Sequence, residues 1–163
     1  MAKGKKNKSG SDSDTIVSNK KALRDFIILE KFEAGIELKG TEVKSIRDGK
    51  MNLQDAFGRV ENGQLFLHGC DIQPYERASH EQHLPRRPRR LLMHKKEIER
   101  LFSKSEIRGQ TIIALRAYWK NRRVKIEIGL GKGKAQTDRR EDLKKRVADR
   151  EAQRAVANFN RRS

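Results

Sequence analysis

The chain has 163 residues, 34% of them hydrophobic and 37% charged, and its 39 Lys and Arg against 22 Asp and Glu give a net charge of +17. That size suits one domain with tails, and that charge makes a polyanion the default partner. No run of 18 apolar residues is present, no apolar segment follows the N-terminal lysines, and the single cysteine, Cys70, can form no internal disulfide. A membrane span, a secretory signal and an oxidising compartment are therefore not expected, and the cytoplasm is.

Residues 1–15 carry lysine, serine and glycine without apolar periodicity and read as a disordered arm. In the next segment Ser18 or Asn19 can cap a short helical turn that carries Lys20, Lys21 and Arg24. Asp25–Lys31 is an apolar run bounded by charge, short enough for a buried strand. It is expected to continue, with a bend near Glu33–Gly35, into Phe32–Lys39. There Phe32, Ala34, Ile36 and Leu38 alternate with Glu33, Gly35, Glu37 and Lys39, the pattern of a half-buried strand. Gly35 on the polar face leaves the backbone open to close approach. After Gly40 the period becomes helical: Thr41 can cap, Glu42 suits the first turn, Val43 and Ile46 lie three apart, and Gly49 can stop the helix in the left-handed region.

Asn52–Asp55 reads as a connection. Ala56–Glu61 and Gln64–His68 flank Asn62-Gly63, the strongest short hairpin signal a sequence offers; the second strand is expected to reach Ile72. All three prolines fall between Pro74 and Pro88, which marks a surface loop. Leu91, Ile98 and Leu101, with Leu92 and Phe102, predict an amphipathic helix over about 91–102, and His94 sits at the edge of its apolar stripe. Two strands follow, Thr111–Trp119 and Val124–Leu130, joined by a turn at Asn121-Arg122. The glycines of Gly129-Leu130-Gly131-Lys132-Gly133-Lys134 lack phosphate-loop spacing. They read instead as bare, flexible backbone between lysines, suited to phosphate contact and to a hinge.

From Lys132 onward the chain holds 11 basic and 5 acidic residues and few large apolar ones. Glu141 with Lys145 and Asp142 with Arg146 have helical i,i+4 spacing. The thin apolar stripe predicts a tail that is disordered alone and helical when bound. About six short strands, no βαβ rhythm and two or three short helices make the fold mainly β, a small closed antiparallel barrel. His80 and His83 have no cysteine nearby, so no metal is expected. Glu33, Glu37, Glu42 and Asp48 lack an adjacent nucleophile or histidine; they read as solvated or salt-bridged surface rather than a catalytic site. The nine aromatics fall mostly on apolar faces. That argues for shape and backbone recognition of structured RNA over generic single-strand binding.

Several motifs carry a resemblance. Phe32-Glu33-Ala34-Gly35-Ile36, Gly40-Thr41-Glu42-Val43-Lys44-Ser45, Lys50-Met51-Asn52-Leu53, Arg90-Leu91-Leu92-Met93-His94-Lys95-Lys96-Glu97-Ile98, Lys132-Gly133-Lys134 and Asp138-Arg139-Arg140-Glu141-Asp142 recur in order. Over nearly all of 16–157 the chain resembles the small protein B family, the SsrA-binding proteins, which partner transfer-messenger RNA in bacterial ribosome rescue. The resemblance implies an OB-like barrel over 16–131 and a basic tail over 132–163, in a monomeric, non-catalytic protein without cofactor. It implies RNA contact at Asn19, Lys20, Arg24, Glu33, Gly35, Lys44, Leu92, His94, Lys132, Gly133 and Lys134. The tail residues Asp138, Arg139, Arg140, Lys144, Lys145 and Arg146 would enter the decoding centre and message channel of a stalled ribosome. The family often has a histidine before the Asp-basic-Arg triplet, where this chain has Thr137. The alternative reading is a basic ribosomal or assembly protein that binds ribosomal RNA.

Overall fold

A computed structural model describes residues 14–162. Most of the expected N-terminal arm lies outside them, but Thr15 already belongs to a strand. The elements in order are β1 (Thr15–Ser18), α1 (Lys20–Asp25), β2 (Phe26–Ile36), α2 (Gly40–Arg47), β3 (Met51–Asn52), β4 (Phe57–Glu61), β5 (Gln64–His68), β6 (Asp71–Ile72), β7 (Arg89–Leu92), α3 (Lys95–Ser105), β8 (Gln110–Lys120), β9 (Arg123–Gly133) and α4 (Gln136–Arg162).

The architecture is sheet-rich, with four helices among the described residues. Seven strands pair in the order β1-β8-β4-β5-β7-β2-β9, all antiparallel, and β9 also pairs with β8. A separate β3–β6 pair sits beside them. The core lies inside this arrangement, with Leu53, Leu65, Leu67, Ile72, Ile126 and Ile128 fully buried. Each such side chain contributes roughly 1.5–3 kcal/mol by leaving water.

Two β-bulges set which side chains reach that core. In β8 the register shifts between Ala114 and Arg116. The side-chain alternation along the strand therefore changes face: Ile112, Ala114 and Ala117 share the main core, with Trp119 packed against it. Ile113 and Leu115 turn outward into a second small core with Ala22 beneath α1. In β2 the shift falls between Ile28 and Glu30, not near Glu33–Gly35, and the strand is otherwise continuous. Phe26 and Ile28 accordingly pack in the second core, while Phe32, Ala34 and Ile36 pack in the first. An inserted residue flips the side-chain parity, which is why one strand serves two cores.

Other expectations are corrected. The helix over 91–102 is a strand and a shorter helix. Arg89 and Leu91 point inward and Arg90 and Leu92 outward, because β7 is paired to both β5 and β2. The strand after Asn62-Gly63 stops at His68 and does not run on to Ile72. Gly69 takes φ +70, and a Cβ there would lie 2.3 Å from the Asp55 carbonyl oxygen. Helix α2 is capped at Lys39, whose amide donates to Glu42 Oε2 at 2.7 Å, and Thr41 does not cap. Gly49 does take the left-handed conformation after the helix, φ +73.

Glu42 is not surface. Its carboxylate is fully buried and accepts from Arg87 Nη2 at 2.6 Å and Arg89 Nε at 2.9 Å, with Arg89 equally buried. Arg89 also donates to the Cys70 and Pro85 carbonyls. The proline-rich segment is thus tied to α2 from below. His83 adds to this: it is buried, with Nε2 on the Ile72 carbonyl at 2.8 Å and Nδ1 on the Thr41 hydroxyl at 2.9 Å.

Candidate nucleic-acid interface

Candidate residues gather at both ends of strand β2, some 30 Å apart at about 3.3 Å per residue. At the Gly35 end, the sheet brings Glu33, Gly35 and Leu92 together. Gly35 pairs with Leu92 on one side and with Lys125 on the other. A Cβ on Gly35 would sit 3.3 Å from the Leu92 Cβ. The missing side chain thus admits Leu92, which remains 49% exposed. The two line a groove of about 450 Å³ with Val43, Trp119, Arg123 and Lys125.

Glu33 accepts from the Tyr118 hydroxyl and from Lys120 Nζ at 2.9 and 3.1 Å. The Tyr118 hydrogen bond, then those from Lys120, hold the Glu33 carboxyl below its ordinary range against a smaller opposing effect of burial. Burial and Glu33 together push the Tyr118 hydroxyl up. Arg116 lies over the Tyr118 ring, 4.9 Å from its centre, and pairs with Glu127 at 3.0 Å. Here the sequence reading names the carboxylate but not the partners that hold it. The signal was the alternation Arg116, Tyr118, Lys120, which puts all three on one outward face of β8. His94 follows two residues after Leu92; it is exposed and caps α3 through its carbonyl, so it is no core histidine. Lys44, on the helix that flanks the groove, is exposed and lies 5.5 Å from the centre of the Tyr75 ring.

At the other end, α1, the last residues of β9 and the start of α4 converge. Asn19 is buried and fully occupied. Its Oδ1 caps the Ala22 amide at 3.0 Å, and its Nδ2 donates to the Leu53 and Ala114 carbonyls at 2.7 and 2.9 Å. It fixes α1 in place, and Lys20 and Arg24 are left exposed. Lys132 and Gly133 pair with Ile27 and Phe26, and the Lys134 amide donates to the Asp25 carbonyl at 2.9 Å. The glycines before them are not bare. Gly129 and Gly131 are buried between paired strands, and a Cβ at either would meet a β8 side chain at 2.9 Å.

The Lys134 ammonium is hydrogen-bonded to the Asp142 carboxylate, which it holds below the usual range. Asp142 thus anchors α4 to the sheet instead of forming the expected i,i+4 pair with Arg146. Arg146 lines a polar groove of about 480 Å³ with Lys20, Lys21 and Arg24. Asp138, Arg139, Arg140, Lys144 and Lys145 are exposed along α4.

No group of three or more His, Cys, Asp or Glu among the described residues could hold a metal ion. Cys70 is buried, and burial raises its thiol to about 11. Most carboxylates near the grooves are spent on neighbouring cations, and many cations have none.

A small antiparallel-sheet protein built in this way, with Lys and Arg in excess of carboxylates around two grooves, is a binder of polyanions. The chain belongs to the SmpB family, whose model, SmpB protein, matches residues 16–158. It is 54% identical over 141 residues to the SsrA-binding protein of Carboxydothermus hydrogenoformans, covering 86% of this chain and 95% of that one. To the SsrA-binding protein of Geobacter sulfurreducens it is also 54% identical, covering 86% and 92%. To that of Halalkalibacterium halodurans it is 48% identical over 151 residues, covering 93% and 98%. A solved chain described as "tmRNA-SmpB: a journey to the center of the bacterial ribosome" matches with TM-score 0.63 and 45% identity, over 74% of this chain and 85% of that one.

Proposed function

We propose that this protein binds the tRNA-like part of transfer-messenger RNA and delivers it to stalled ribosomes, where incomplete proteins are tagged and the ribosome is released. The observation that carries this is the 45% identity to a chain described with tmRNA at the centre of the bacterial ribosome. The SsrA-binding relatives, matched over nine-tenths or more of their length, support it. The protein acts in the cytoplasm, as a monomer, and does no chemistry of its own.

In this reading the body is an OB-like barrel. What supports closure is the circuit of pairings β8-β4-β5-β7-β2-β9, whose last strand pairs again with β8. RNA lies on the β2 face, with phosphates on Lys20, Arg24, Lys132 and Lys134 and the groove at Gly35 and Leu92 receiving a structured loop. Glu33, kept ionised by Tyr118 and Lys120, accepts from ribose hydroxyls or base amino groups. Helix α4 carries Asp138, Arg139 and Arg140 into the decoding centre and lays its later cations along the vacant message channel. Its 27 residues present a thin apolar stripe, so in the free protein it is marginal, and it gains full length against RNA.

A competition titration at near-physiological salt tests this. The ligands are a tRNA-like domain, an ordinary tRNA and an unrelated hairpin of equal length, against the full chain and a chain cut after Ala135. Preference for the tRNA-like domain that survives the cut is the expected result. Equal affinity for all three, lost together with the tail, would sink the proposal in favour of a charge-driven ribosomal RNA binder.

A further inference from the structure

We propose that a cleft beside α1 is a receptor for one unpaired, extruded nucleotide of the bound RNA, with its base on Phe57 and its phosphate on the α1 cations. This rests on the reading of the protein as an RNA binder, and it adds a site at the Phe26 end of β2, opposite the end that carries Glu33 and meets Leu92.

The base slot is a cleft of about 360 Å³ between α1 and the strands β4 and β8, ample for a purine. Its apolar lining is Ala22, Phe26, Ala56, Phe57 and Ile113. Phe57, on β4, is a large aromatic left 43% exposed. It is also held rigid. It faces His68 across the β4–β5 ladder, the rings stacked 5.4 Å apart at 16°. His68 in turn is fixed by Glu61 at 3.1 Å. One face of the ring is thus covered, and Phe57 offers its remaining surface to the cleft, as a preorganised stacking platform would.

Charge identifies the occupant. The slot adjoins the groove lined by Lys20, Lys21, Arg24 and Arg146, and shares Asn19, Lys21 and Gln54 with it. Of these four cations Arg24 pairs with Asp25 at 3.2 Å and Lys21 with Asp55 at 3.1 Å, so the net positive charge of the group is that of Lys20 and Arg146. The combination of a mostly apolar slot and an adjoining net positive charge fits a nucleotide. An apolar peptide side chain would not need the cations, and a lone phosphate would not need the ring. Gln54 and Asp55 on the rim supply an amide and an acceptor to a base edge. Aromatic stacking itself is indifferent to which base enters.

The test uses the full chain and the tRNA-like domain of a transfer-messenger RNA, with 2-aminopurine placed in turn at each unpaired position. Phe57→Leu keeps an apolar side chain but removes the flat ring, and Phe57→Tyr keeps the ring. We expect Phe57→Leu to weaken binding about tenfold with an unchanged salt slope, and Phe57→Tyr to restore it. One 2-aminopurine position should change emission on binding wild type and not on binding Phe57→Leu. Unchanged affinity and unchanged emission at every position with Phe57→Leu would overturn the site. Failure of the parent reading is different: wild type would then show no preference for this RNA.

Discussion

At Glu42 a carboxylate is fully buried with two guanidinium groups for company, and pH reads its state. Burial by itself would raise its pKa. The hydrogen bonds from Arg87, the Lys39 amide and Arg89, with the charge of Arg89, outweigh that and hold it below the ordinary 4.5. A carboxyl more acidic folded than unfolded stabilises the fold above its unfolded pKa, and that contribution is lost as pH falls through the lower folded value. Glu42→Gln should therefore flatten the acid limb of stability against pH, measured by urea unfolding between pH 6 and 3. Glu42→Ala at neutral pH strands Arg89 without a counter-charge and should cost about 3–5 kcal/mol in the same assay. Glu33 contrasts with it. Its partners are half-exposed, so Glu33→Gln should move stability by less than about 1 kcal/mol while weakening the tRNA-like domain's binding in titration. A loss of fold comparable to that of Glu42→Ala would show that Glu33 is structural. Nothing local in the sequence separates these two glutamates. The inward position of Arg89 is set only when β7 pairs on both sides, and a buried ion pair follows from that pairing.

Among the elements, the hairpins were legible because their turns are local. Asn62-Gly63 and Asn121-Arg122 all take positive φ, which the two-residue hairpin turn demands. Asn19 as a helix cap was legible for the same reason, its side chain meeting an amide three residues on. Strand β7 was not. Four residues, Arg-Arg-Leu-Leu, followed by a helix with the same apolar residues in phase, read as one longer helix until two neighbouring strands claim the backbone. The bulges in β2 and β8 were equally invisible, since each depends on the register of a partner. Gly69 carries a sharp consequence. Its positive φ and the 2.3 Å approach of the Asp55 oxygen leave no room for a methyl group. Gly69→Ala should destabilise by at least about 1 kcal/mol in thermal or urea unfolding. Equal stability would mean that the β5–β6 corner can be rebuilt.

Taken whole, the molecule divides its positive charge of +17 between a body and a tail that carries +6 from Lys132 onward. The candidate residues sort the same way, some on the sheet and α1, others on α4, although the sequence places them in one basic chain. If the sheet alone reads the tRNA-like domain, cutting after Ala135 should leave the slope of log affinity against log salt nearly unchanged for that RNA. A slope that drops by several phosphates' worth would place the tail on the same RNA. Affinity for ribosomal subunits should fall with the cut in either case.

The Lys134–Asp142 contact fixes α4 by its second turn and leaves the rest of the helix projecting. At 1.5 Å per residue its 27 residues extend about 40 Å. Such a helix is a lever with a short arm on the sheet and a long arm in solvent. Beyond Asp142 the arm is about 30 Å long, so a rotation of ten degrees at the fulcrum sweeps its far end by roughly 5 Å, about one helical pitch. One ammonium and one carboxylate thus set the aim of every cation beyond them. Lys134→Met should release that aim: the first turns of α4, held in wild type through Asp142, become more quickly cleaved by trypsin than in wild type, while the melting of the sheet is unmoved.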